Sequence, residues 1–104
     1  MALILGIDPG SRKTGFGIIN AVGSRLEHVA HGCIKLTEEE LPERLKHVFN
    51  DLSDVINLHC PQSVAVEQVF MARNAGSALK LGQARGAAIA AAVTRDLPVS
   101  EYSA

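Results

Sequence analysis

The sequence predicts a mixed α/β domain whose sheet opens as an antiparallel three-strand meander and continues with parallel strands flanked by helices. Three observations carry this reading. Short apolar runs separated by turn residues fill the first third of the chain. Two stretches of helical periodicity follow, and each is succeeded by another short apolar run, giving the order βββαβαβ. At 104 residues, 47% apolar and 20% charged, the chain has enough material for a single domain spanning residues 1–104 and too little for two catalytic domains.

Residues 3–8, Leu-Ile-Leu-Gly-Ile-Asp, are apolar up to their final carboxylate, the pattern of a central strand covered on both faces. Asp8 therefore stands at the C-terminal end of the first strand. Pro9, Gly10 and Ser11 supply turn chemistry, so residues 14–20 return as the second strand. A turn near Gly23 and Ser24 leads into a third strand over Leu26–Leu36. Between 37 and 58, Leu41, Leu45, Val48, Phe49, Leu52, Val55 and Ile56 recur at steps of three and four, which marks an amphipathic helix. Thr37 and Glu40 have capping-box spacing at its start, and Pro42 suits a first turn. Pro61 closes the helical region, and Val64-Ala65-Val66-Glu67 forms a short apolar run that again ends on a carboxylate.

From Ala75 to Ala92, eleven of eighteen residues are Ala or Gly, and small residues recur at Ala78, Gly82, Gly86 and Ala90. That row strips one helical face of bulk, so that a neighbour can approach closely, from within the chain or from a second copy of it. Leu97–Tyr102 begins the last strand. With right-handed crossovers, the first and fourth strands become parallel neighbours, and Asp8 and Glu67 end side by side at the sheet edge where ligands of such folds bind.

The net charge of −1 excludes a uniformly basic nucleic-acid binder. Charge is nevertheless segregated: residues 37–67 hold seven carboxylates against two cations, whereas the flanking segments are each net positive and can present a local face to phosphates. Cys33 and Cys60 have no metal-ligand spacing and read as buried free thiols; the four histidines form no recognisable cluster and receive no role. No apolar window is long enough to span a bilayer and no secretory leader is present, so the expected location is cytoplasmic.

Two carboxylates delivered to one point repel unless a cation lies between them, and hard oxygen donors without Cys or His suit Mg²⁺, with Mn²⁺ as a substitute. Such a centre fits metal-assisted phosphodiester hydrolysis, although two acids are few for holding two ions. Beyond Glu67, the segment containing Phe70, Arg73 and Asn74 offers an aromatic ring, a guanidinium and an amide to unpaired nucleotides, and Arg12 and Lys13 offer cations from the first turn.

The runs Ile4-Leu5-Gly6-Ile7-Asp8-Pro9-Gly10-Ser11-Arg12, Thr14-Gly15, Glu67-Gln68-Val69-Phe70-Met71-Ala72 and Ser77-Ala78-Leu79-Lys80-Leu81-Gly82-Gln83-Ala84-Arg85-Gly86 resemble the RuvC family of bacterial Holliday junction resolvases. The resemblance implies a ribonuclease H-like fold, a homodimer, branch-migration proteins as partners, and Mg²⁺-dependent paired nicking of four-way DNA junctions in recombination and repair. It implies that Asp8 and Glu67 are catalytic, metal-binding acids and that Phe70 lies at the DNA. It also places the Lys80–Gly86 helix, and with it the row of Ala78, Gly82, Gly86 and Ala90, in the region that joins two protomers. Members of the family continue past residue 104, where a C-terminal helix supplies two further aspartates; the chain is expected to be truncated and to cut weakly at best.

Two other readings share parts of this pattern. Gly-Ile-Asp-Pro-Gly-Ser also resembles the phosphate-binding turn of actin-like phosphotransferases, which need a second domain and do not predict the Glu67–Ala72 run. A non-catalytic module that holds branched DNA and dimerises keeps the same fold and dispenses with the metal.

Overall fold

A computed structural model describes residues 2–38, 40–68 and 75–103. The elements are β1 (Ala2–Asp8), β2 (Lys13–Val22), β3 (Arg25–Lys35), α1 (Leu41–His59), β4 (Ser63–Glu67), α2 (Ala75–Val93) and β5 (Val99–Tyr102). They form one five-stranded sheet in the order β3-β2-β1-β4-β5. β1, β2 and β3 are antiparallel, whereas β4 pairs in parallel with both β1 and β5. The mixed sheet, its meander and its helical crossovers are those the periodicity predicts.

Two tight places in the meander require glycine. A Cβ at Gly10 would collide with the carbonyl oxygen of Lys13, so the β1–β2 turn closes only on a residue without one. Gly32 of β3 faces Phe16 of β2, whose ring would lie 2.6 Å from an added Cβ. A register shift at Ile18/Ile19 bends the outer pair of strands.

The core lies on one face of the sheet. Leu5 and Ile7 of β1, Ile18 of β2, and Val64 and Val66 of β4 pack there against Val48, Leu52 and Ile56 of α1 and Ala88, Ala91 and Ala92 of α2. Because β1 alternates, Ile4, Gly6 and Asp8 point the other way, into an open cavity of about 700 Å³. The expectation that β1 is covered on both faces is thus corrected: among the described residues, helices cover one.

Three further expectations change. The capping box does not form: Glu40 occupies the N-cap of α1 without a side-chain hydrogen bond, and Pro42 sits in the first turn as predicted. Both cysteines are exposed rather than buried; Cys60 ends α1 in the left-handed conformation, its amide donating to the Ile56 carbonyl. A histidine–carboxylate cluster does exist, because His47 reaches Glu38 with one ring nitrogen (2.8 Å) and Asp51 with the other (2.9 Å). Both nitrogens are thereby occupied, and the group ties the approach to α1 onto its second turn.

Candidate active site

Asp8 and Glu67 are brought together by strand register. Ile7 of β1 pairs with Val66 of β4, so the next residue of each parallel strand emerges from the same edge. The two carboxyl groups interact directly. Glu67 is raised above the usual carboxylate range, first by its hydrogen bond with Asp8, then by the Asp8 charge, and last by burial.

Tyr102 completes this edge, and the sequence reading did not single it out. It pairs with Glu67 across β4 and β5 and lines the same open cavity as Asp8. Its phenol is held above its ordinary range by partial burial and by the charges of Glu67 and Asp8. The available signal was its place at the end of the fifth strand, where the edge rule applies as it does to the first and fourth.

On the opposite face of β5, Glu101 accepts from Arg85 of α2 and from the Gln68 amide at 3.4 Å. The Arg85 hydrogen bond, then that of Gln68, holds Glu101 below the usual carboxylate range. This network, likewise unforeseen, fixes α2 to the strand that follows it.

Of the proposed DNA contacts, Arg12 on the β1–β2 turn and Lys13 at the start of β2 are exposed beside Asp8, around a cavity of about 520 Å³. Phe70, Arg73 and Asn74 lie outside the described residues. The small-residue row behaves differently from its intramolecular reading: Gly82 and Gly86 are exposed and, apart from the neighbouring backbone of α2 itself, an added Cβ would meet no described atom within 4 Å, while the buried face of α2 is formed by Ala84, Ala88, Ala91 and Ala92.

Paired carboxyl groups that raise Glu67 by their hydrogen bond and then by their charge are a donor set that a hard divalent cation would satisfy. Among the described residues no third His, Cys, Asp or Glu joins them, so Asp8 and Glu67 are the protein ligands such an ion would find here. No described helix is long and apolar enough to cross a membrane.

Comparison with known proteins agrees with this geometry. The family described as crossover junction endodeoxyribonuclease RuvC matches residues 4–104. The RuvC protein of Teredinibacter turnerae is 62% identical over 109 residues, covering all of this chain and 62% of the relative. Among solved structures, T. thermophilus RuvC in complex with a Holliday junction substrate superposes with a TM-score of 0.90 at 29% identity, over 98% of this chain and 66% of that one. The yeast mitochondrial Holliday junction resolvase shares the fold at 18% identity, with a TM-score of 0.71 over 96% of this chain and 50% of its own. The chain spans about 60% of the length of the curated relatives it matches.

Proposed function

The chain belongs to the RuvC family of crossover junction endodeoxyribonucleases, and from that premise we propose that it is the ribonuclease H-like nuclease core of a resolvase that cuts four-way DNA junctions in pairs. The observation that carries this reading is the meeting of Asp8 and Glu67 at the C-terminal ends of two parallel strands. Asp8 and Glu67 would hold Mg²⁺ or Mn²⁺, which when bound supplies an activated water and charge stabilisation for phosphodiester hydrolysis. The protein's own part is to fix the two carboxylates on rigid strands and to hold DNA over them, with Arg12 of the neighbouring turn, Lys13 at the start of β2, and Phe70, Arg73 and Asn74 of the segment after β4, as its contacts. A homodimer joined along Ala78, Gly82, Gly86 and Ala90 would present two such sites to symmetry-related strands, as paired nicking requires.

The test is Mg²⁺-dependent cleavage of an end-labelled four-way junction by this chain and by a version extended to the length of its relatives, each compared with its Asp8→Asn and Glu67→Gln variants. Paired symmetric nicks lost in both variants, with junction binding retained, support the reading, because phosphate contacts dominate affinity while the acids act through the metal. Binding and cutting that fell together would overturn the assigned roles. A second reading, a non-catalytic junction-binding module, is favoured by one observation: among the described residues only two carboxylates meet at the site. Junction binding without cutting by the extended chain, with any divalent metal, would select it.

A further inference from the structure

Three cations from three different elements converge on one concavity beside the carboxylate edge. Arg12 of the β1–β2 turn, Arg44 of α1 and Lys80 of α2 line a cavity of about 310 Å³, together with Ser11, Leu36 and Ser77. No carboxylate is among the lining residues, and among the described residues none lies within ion-pair distance of these cations. Like charges gathered this way repel, so the arrangement costs stability unless an anion sits among them.

The cavity is held in place rather than formed by chance side-chain drift. The Arg12 carbonyl accepts from the Leu36 amide at 2.8 Å, which locks the turn to the end of β3. Arg44 donates from Nε to the Glu38 carbonyl, which fixes the guanidinium plane. Ser77 and Lys80 lie in the opening turns of α2, whose first turn carries no acidic residue and whose dipole favours an anion.

Ser11 and Arg12 also line the cavity of about 520 Å³ that contains Asp8 and Lys13. The two cavities are therefore adjacent, with Arg12 on the wall between them. We infer that the Arg12–Arg44–Lys80 cavity is a phosphate subsite that grips the backbone of the same DNA strand on which Asp8 and Glu67 act, at a phosphate flanking the one presented to the carboxylates. This inference rests on the junction-nuclease reading above and adds Arg44 and Lys80, neither of which the sequence had marked as a DNA contact, as positioning residues. The backbone ester of a nucleic acid and free phosphate share the chemistry; continuity with the carboxylate cavity favours the strand.

The experiment is binding of a fluorescent four-way junction to this chain in Ca²⁺ buffer, titrated at several salt concentrations. Arg44→Gln, Lys80→Gln and, as a control for charge removed elsewhere, Arg25→Gln at the distal β2–β3 turn are measured beside the wild type. Each subsite variant is expected to weaken binding several-fold and to lower the slope of log Kd against log salt by about 0.7–0.9, the value of one phosphate contact, while Arg25→Gln leaves the slope unchanged. Lys80→Gln, an exposed position, covers the case in which Arg44→Gln disturbs the approach to α1. Unchanged slopes in Lys80→Gln and in a folded Arg44→Gln, with wild-type affinity intact, would overturn the subsite alone. A wild-type chain without affinity for branched DNA would overturn the proposed function and the subsite with it. Titration with inorganic phosphate, followed by amide shifts at Ser77 and Lys80, separates the sources: saturation by phosphate without competition against DNA would overturn the assignment to the strand.

Discussion

Asp8 and Glu67 show how a site can be uncomfortable in isolation. Their carboxyl groups raise Glu67 by hydrogen bonding and repulsion, so a divalent cation that binds the folded chain should stabilise it by linkage. Millimolar Mg²⁺ is expected to raise the melting temperature of the wild type by a few degrees at neutral pH and to leave Asp8→Asn unmoved; calorimetry decides, and an equal rise in both would remove Asp8 from the metal site. Glu101 carries the opposite sign. Its carboxyl is lowered by Arg85 and Gln68, so its contribution is present above the ordinary carboxylate value and is lost as pH falls through the lowered one. Thermal melts between pH 7 and pH 3 should accordingly show a smaller acid loss in Glu101→Gln than in the wild type. An unchanged acid profile would mean that the Arg85–Glu101 pair does nothing for folding.

At the scale of elements, the two helices use different chemistry to cover the same sheet face. α1 inserts large side chains, and Leu52 is fully buried among them, so Leu52→Ala is expected to cost about 2–5 kcal/mol in urea unfolding. A loss under 1 kcal/mol would place Leu52 outside the core. α2 instead presents alanines to the core, which lets it lie close to α1, and it turns Gly82 and Gly86 outward. In an isolated chain Gly86→Ala should therefore stabilise by about 1 kcal/mol, the difference in helix propensity. If the row is the seam of a homodimer, the same substitution would instead weaken association, which sedimentation at rising protein concentration reads directly.

At the scale of the whole fold, the described helices dress the sheet on one side. Adjacent residues of β2 report on this asymmetry: Ile18 is fully buried beneath the helices, whereas Ile19 faces the open cavity with Ile4, Gly6 and Asp8. Ile18→Ser should cost about 3–5 kcal/mol and Ile19→Ser less than about 1 kcal/mol. Equal losses would show that the second face is covered in solution. The open face and the carboxylate edge share Asp8 and Tyr102, so whatever approaches the carboxylates also meets the apolar floor beside them.

Much of this was legible along the chain, for local reasons. Periodicity of two and of three to four separates strands from helices because each burial pattern repeats within a few residues, and two apolar runs that both end on a carboxylate announce Asp8 and Glu67 before any pairing is known. Turn glycines such as Gly10 are local as well. What the residues in order could not announce was convergence: Arg12, Arg44 and Lys80 meet only because the turn, α1 and α2 are brought to one end of the sheet, and Tyr102 reaches Glu67 only through the β4–β5 register. The exposure of Cys33, Cys60, Gly82 and Gly86 is of the same kind, since a small or apolar residue carries no mark of which face it will occupy. Local spacing is set by backbone geometry and can be read in one dimension; the side of a sheet, the partner of a charge and the neighbour of a glycine are set by packing between elements distant in sequence.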